Sequence, residues 1–336
     1  MAEAVQPPRT ADEVLDWLEQ GRLSPAEAFA IFRSLDQDRR APSHLRVAVR
    51  ESPREQDPEE ARRQRLQQAL ADLDALIGLE SVKELVREVQ AFVEIQQRRS
   101  KARLATEPMA LHMIFKGNPG TGKTTVARIF GRMFEAMGVL PKGHLVECER
   151  ADLVGEYIGH TAQKTREQIR QALGGILFID EAYSLARGGE KDFGKEAIDT
   201  LVKAMEDKKD QLVLILAGYR REMELFLQTN PGLRSRFPIQ IDFPDYKTAE
   251  LIQIADLMLK QREYRLTEGA RRRLHDMLEQ RLRSGDPHLG NARMVRNIIE
   301  RAIRRQAVRL VRRPQISRND LMLITEADIE EVSVAR

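Results

Sequence analysis

The chain has one cysteine, Cys148, among 336 residues. No intrachain disulfide can form, which excludes the small cross-linked secreted scaffolds. Cys148 ends the strand-like stretch HLVEC, where a small buried thiol is expected rather than a nucleophile. Aromatic residues are scarce, at 5%. No apolar run approaches the ~18 residues of a membrane span. The N-terminal segment MAEAVQPPRTADE lacks the apolar core of an export signal. These absences place the expected protein in the cytoplasm, with no membrane span. There is no internal repeat and no low-complexity tract. A strong net charge is also lacking, since the balance is +3. The charge is uneven, however: Arg262 to Arg318 holds sixteen arginines against six acids. Such a stretch can bind nucleic acid, form the solvated side of helices, or dock an acidic neighbour. No aromatic interleaving or DNA-binding motif accompanies it, so nucleic acid is not the partner expected.

What is present falls into three parts. Residues 1–62 read as a small helical hairpin and a charged linker. Thr10 caps a first helix carrying Val14, Leu15 and Leu18, with Trp17 between the helices. Ser24–Glu27 (SPAE) opens a second helix with the stripe Ala28, Phe29, Phe32 and Leu35. Residues 37–62 are charged, hold prolines and have few large apolar side chains, the composition of a linker. Residues 63–245 begin with helical spacing and then alternate. Short apolar strands are expected at 111–115, 144–148, 176–179, 212–217 and 239–243, with helices between them. This alternation predicts an α/β fold with a parallel sheet covered on both faces. Residues 246–336 read as a separate small helical domain, with helices at 248–263, 268–283 and 291–311.

The chemistry lies in the middle part. Gly117-Asn118-Pro119-Gly120-Thr121-Gly122-Lys123-Thr124-Thr125 stands between the first strand and the next helix. This is the P-loop pattern. Gly120 and Gly122 let the backbone curl until successive N–H groups face phosphate oxygens. The helix N-terminus adds partial positive charge. Lys123 would reach the β- and γ-phosphates, and the Thr124 hydroxyl would ligate Mg²⁺. A second motif, GILFID followed by Glu181, ends a doubly buried strand in two carboxylates. Asp180 fits the Mg²⁺-associated acid, and Glu181 is positioned to activate a water. Two carboxylates point to water as the acceptor, hence to hydrolysis; on these residues alone a kinase stays open.

The order of LIGL, GNPGTGKT, FIDEA, NPGLRSRF and GNARMVRN resembles that of AAA+ ATPases. HLVECERADLVGEYIGHTAQKT, SLARGGEKDFGKEAIDTLV and ILAGYRREM resemble the CbxX/CfxQ group within it. The likeness spans about residues 70–330 and is greatest to a sporulation branch of the group. It implies a P-loop NTPase domain followed by a helical lid domain, a homo-oligomeric ring, usually hexameric, and ATP with Mg²⁺ between neighbours. It implies that Arg236 is the arginine finger supplied to the adjacent subunit, with Arg234 a second candidate. A guanidinium spreads its donors over the transferring phosphoryl oxygens. Arg293 matches the sensor-2 arginine of the lid, and Asn291 could cap its helix. Ile77 and Gly78 match the segment beside the adenine. Tyr219 stands near the place where many relatives carry a polar sensor, often asparagine, and its phenol reaches differently. Tyr157-Ile158-Gly159 matches the aromatic loop lining a central pore. The implied function is ATP-driven remodelling or threading of an unidentified protein client, in the cytoplasm of a spore-forming bacterium. A nucleic-acid motor or loader and a nucleotide-gated assembly scaffold are the alternatives.

Overall fold

In a computed structural model the chain is described over residues 10–19, 27–28, 31, 58–106, 110–157, 159–187, 193–283 and 290–330. It divides into two units, residues 1–56 and 57–336. In the first, helix α1 (Ala11–Glu19) starts where the Glu13 amide donates to the Thr10 hydroxyl at 3.3 Å, and Val14 is buried. Of the second expected helix, 27–28 and 31 are helical; Phe29, Phe32 and Leu35 lie outside the described residues.

The second unit opens earlier than charge composition suggests. Helix α2 (Pro58–Asp74) begins inside the stretch expected to be linker. Its start follows a local rule: proline at the first helical position and two glutamates, Glu59 and Glu60, in the first turn. Helix α3 (Glu80–Lys101) follows a turn in which Gly78 and Leu79 both take positive φ. Then come β1 (Met113–Gly117), α4 (Lys123–Ala136), β2 (Leu145–Cys148), the short α5 (Arg150–Leu153), α6 (His160–Ala172) and β3 (Ile176–Ile179). After them run α7 (Gly194–Asp207), β4 (Val213–Gly218), α8 (Arg220–Thr229), the short α9 (Pro231–Arg234) and β5 (Ile239–Phe243).

The five strands form one parallel sheet in the order β2-β3-β4-β1-β5. Side chains alternate between its faces. Met113, Phe115, Ile176, Phe178, Val213 and Ile215 pack into one core with Val126 and Phe130 of α4. Ile114, Leu177, Ile179, Leu214 and Leu216 pack into the other, with Ile169 of α6 and Ile198 of α7. This explains why β3 and β4 are apolar at every position. Because β1 lies inside the sheet, the loop after it opens among the strand ends, where α/β folds bind ligands.

The remaining residues form the helical part: α10 (Thr248–Lys260), α11 (Glu268–Arg283), α12 (Asn291–Val311) and α13 (Arg318–Met322). Strands β6 (Arg265–Leu266) and β7 (Leu323–Ile324) pair in parallel. Buried Asp328 accepts from Arg309 Nε at 2.9 and 3.2 Å and from Nη2 at 2.8 Å. Burial works against its charge, but the bonds from Arg309 and Thr325 outweigh it and hold its carboxyl below the ordinary range. Much of the arginine-rich stretch is matched inside this domain. Arg271 grips Asp256 with two nitrogens, and Arg262, Arg305 and Arg313 face Glu300, Glu330 and Asp320.

One buried group makes stability depend on pH. His112, 4% exposed, accepts from the Leu214 amide at 3.0 Å through Nδ1. Burial depresses its pKa from 6.5 to about 4, against a smaller raising effect of the Met205 carbonyl. Between those values the unfolded chain binds one more proton than the folded one, so stability falls as pH drops. The contribution is fully present above the ordinary imidazole value and fades at about 1.4 kcal/mol per pH unit down to the folded value. Urea titrations between pH 7 and 4 are expected to show a shallower slope for His112→Asn, which keeps an acceptor for Leu214. Equal slopes would remove His112 from the account.

Candidate active site

The P-loop bends because two of its glycines take conformations that disfavour side chains. Gly120 has φ 73° and Gly122 φ 97°. A Cβ on Gly120 would also stand 2.5 Å from the Gly290 carbonyl and 2.7 Å from the Arg293 amide. The loop is therefore packed directly on the start of α12. Lys123 folds back and donates to the carbonyls of Gly117 and Asn118, both at 2.8 Å. Burial lowers its pKa; the nearby Asp180 charge opposes this, and Arg293 adds to the lowering.

A cavity of about 590 Å³ opens above the loop. That size suits a nucleotide-like ligand. Gly117, Pro119, Gly120, Gly122, Lys123, Thr124 and Thr125 line it, as do Asp180, Glu181, Tyr219 and Arg293. Residues expected from distant parts of the sequence thus meet in one place. Arg128 and Arg296 join them, giving four cations against two acids among the charged lining groups. That balance favours an anionic ligand. The apolar wall comes from Leu76, Ile77 and Leu79 on one side and Ile254, Leu257 and Met258 of α10 on the other. Gly78 makes the turn beside Ile77 and does not line the cavity.

Other P-loop side chains act elsewhere. Buried Thr121 donates to the Asn118 carbonyl at 2.8 Å, and the Asn118 amide donates to both oxygens of Asp245 at 3.0 Å. Neither lines the cavity. Asn291 corrects an expectation. Gly290 takes the cap position, and Asn291 has φ 45° with its side chain turned away from its own helix. It is fully buried, donates to Asp245 at 2.7 Å and accepts from the Tyr246 amide at 2.9 Å. Long-range partners took the side chain that local sequence assigns to a cap.

The acid pair stands at the end of β3. The Asp180 carboxylate accepts from the Glu181 amide at 2.9 Å, and Glu181 has φ 45°, left-handed for a residue with a side chain. Strain of this kind gathers at functional positions. Glu181 faces two cavities, the one above the P-loop and a second of about 500 Å³ shared with Arg150 and Lys164. Tyr219 follows β4 and its ring lies 6.1 Å from that of Tyr183. Burial raises the Tyr219 pKa and the Glu181 charge adds to it. Gly218 permits this arrangement, since a Cβ there would approach the Tyr183 ring to 2.7 Å. The Gly-Tyr pair has a steric cause in the ring beneath it.

The expected finger and pore-loop residues lie outside the cavity. Arg236 donates through Nε and Nη2 to Glu206 at 3.0 and 2.5 Å, and through Nη1 to the Gly232 carbonyl at 2.7 Å. Arg234 is exposed at the end of α9. Tyr157 is 66% exposed, with its ring edge-on to His160 at 5.5 Å. Gly159 has φ 83° with open space around it, and Ile158 lies outside the described residues.

Residues 113–245 match the model for "ATPase family associated with various cellular activities (AAA)", and residues 247–334 match the AAA lid domain. Stage V sporulation protein K of Bacillus subtilis is 56% identical over 271 residues, 80% of this chain and 84% of that one. The chain is an AAA ATPase of the CbxX/CfxQ group, an ATP hydrolase. CbbX of Cereibacter sphaeroides is 50% identical, covering 72% of the chain and 79% of CbbX. The chloroplastic ribulose bisphosphate carboxylase/oxygenase activase of Cyanidioschyzon merolae is 44% identical, covering 80% and 93%. Among solved structures, the FIGL-1 AAA domain aligns with a TM-score of 0.52 at 19% identity, over 76% of this chain and 80% of that one. That likeness concerns the fold alone. In this ATPase, the P-loop, the acid pair and the lid arginine thus meet around one ATP-sized cavity. Sequence reading did not find Asp245, Tyr246, Arg128 or Arg296. For Asp245 and Tyr246 the only signal was position, just past the end of β5 at Phe243, where the chain crosses to the lid.

Proposed function

We propose that this ATPase works as a ring of identical copies, taken as hexameric, with ATP held where neighbours meet, and that hydrolysis remodels or threads a protein client. The observation that carries the reading is the position of Arg236. It does not line its own chain's cavity, whereas Lys123, Thr124, Asp180, Glu181 and Arg293 do. A second copy can deliver it. In this reading ATP enters the cavity with its base against Ile77 and the α10 wall. The Lys123 ammonium exchanges two carbonyl oxygens for phosphate oxygens. The acid Asp180 and the hydroxyl Thr124 line one cavity and offer hard oxygen donors, which suits Mg²⁺. When bound, that ion would offset phosphate charge. Glu181 takes a proton as a water oxygen bonds to the γ-phosphorus and the bond to ADP breaks. Arg236 of a second copy, with Arg234 as the reserve candidate, stabilises the charge that develops. Tyr219 and Arg293 sense the terminal phosphate from the sheet and from the lid. Loss of phosphate contacts then shifts the lid relative to the sheet.

The client reading draws on the activase relative and on the exposed Tyr157 beside Gly159. A ring on such a turn can grip a peptide with little sequence preference. The sporulation relative supports action in the cytoplasm of a spore-forming bacterium. No helix among the described residues is long and apolar enough to cross a membrane.

Two measurements test this. Tyr157→Ala is expected to bind ATP as the parent does and to lose remodelling of a client captured with Glu181→Gln as the trap. Unimpaired remodelling would remove the pore-loop role. Sedimentation with MgATP should show a ring. A monomer at every concentration that still hydrolyses ATP at full rate would defeat the proposal.

A further inference from the structure

The contact between the P-loop and the lid is a polar clasp. Asn118 donates to Asp245 at 3.0 Å, and Asn291 donates to the same carboxylate at 2.7 Å. Asn291 also reaches the Pro119 carbonyl at 3.4 Å and receives the Tyr246 amide at 2.9 Å. The Ala292 amide donates to the Gly120 carbonyl at 3.2 Å, and the Tyr246 hydroxyl to the Thr121 carbonyl at 3.3 Å. Three pieces of chain meet here: the loop that cradles phosphate, the crossing after β5, and the first turn of α12.

Three features set this apart from ordinary packing. Asn291 is fully buried and holds φ 45°, a backbone cost that the surrounding bonds must offset. Each of residues 118–121 of the P-loop, the segment that curls around a phosphate in the proposed site, takes part in one of these bonds. The bonds are directional and weaken steeply with misalignment, so a shift of about 1 Å would break several together. The clasp is therefore either made or broken.

We infer that Asp245 is a positioning residue: through Asn118 and Asn291 it ties the lid to the P-loop backbone, so that phosphate occupancy reaches α12 by a route separate from the Arg293 side chain. The inference rests on ATP binding in the cavity above the loop, and it deepens that reading.

Reversing the pair tests it. Asn291→Asp sets two carboxylates against each other where the structure has a 2.7 Å hydrogen bond. The double variant Asp245→Asn with Asn291→Asp restores a donor and an acceptor in opposite order. The clasp itself is read without nucleotide. Amide hydrogen exchange at the start of α12 is expected to quicken at least tenfold in the single variant and to return to parent protection in the double. The relay is read with nucleotide. The single variant should bind a fluorescent ATP analogue within about threefold of the parent, turn over at least tenfold more slowly, and lose ATP-dependent protection of α12. The double should recover turnover to within about threefold.

A double variant that exchanges and turns over like the single, or a single variant that turns over at the parent rate, would overturn the proposal. So would loss of nucleotide binding in the single variant, since the clasp would then belong to the binding site. A single variant that fails to fold leaves the double to decide: a folded, active double supports the pairing, and an unfolded one rejects it. If the parent itself bound no ATP analogue, the ATP site would fail, while the exchange result would still report on the clasp.

Discussion

Glu181→Gln is expected to keep ATP bound and to lose nearly all turnover. The side chain sits where the cavity above the P-loop meets the second cavity toward Arg150, so it borders both the phosphate side and the open side. Its backbone is fixed by the bond from its amide to Asp180 and by its left-handed φ of 45°. Glutamine keeps the shape and the reach but cannot accept a proton from water. The expected loss in turnover is about 10²–10⁴-fold, the usual worth of a placed general base. Affinity should change little, because in the proposed site the P-loop amides, Lys123 and Arg293 face phosphate. Phosphate release and equilibrium binding of a fluorescent ATP analogue measure the two separately. Turnover at the parent rate would end the assignment of the base.

What could be read from sequence followed range. Strands and helices were legible where burial has a short period, as in ILFI and VLILAG. The first strand is displaced, however: apolarity marks 111–115, but the ladder covers Met113–Gly117. Leu111 and His112 are buried too, and burial without pairing looks the same in a one-dimensional pattern. The start of α2 was legible in Pro58-Glu59-Glu60, but charge composition masked it. The P-loop and the acid pair were legible from local chemistry, and the parallel sheet brings the ends of β1 and β3 to one cavity. The clasp was not legible, because Asn291 spends its side chain on Asp245, 46 positions away. Glu206, the partner of Arg236, is 30 positions away. Nothing in the sequence near either residue points to its partner.

The second large effect concerns Arg236, and it turns on which chain uses it. Arg236→Ala is expected to slow hydrolysis by about 10³–10⁵-fold, the range for a finger on the transferring phosphoryl group. That loss alone does not separate a finger used in trans from an arginine needed to hold its own fold through Glu206. Mixing separates them. Let Glu181→Gln and Arg236→Ala chains, each nearly inactive, co-assemble in equal amounts. An interface works when the chain holding ATP keeps Glu181 and its neighbour keeps Arg236. Random arrangement gives about a quarter of interfaces that composition, each with both wild-type groups. Turnover should therefore climb from near nothing to as much as about a quarter of the parent rate. If the arginine acted within its own chain, neither variant could supply what the other lacks, and the mixture would stay as slow as its parts. The ion pair sharpens the test. Glu206 binds the Nε and Nη2 side of the guanidinium, and Gly232 takes a proton of Nη1. That leaves two of the five N–H groups to turn toward a neighbour's phosphate without breaking the pair. A mixture that recovers turnover would give the arginine to the adjacent copy.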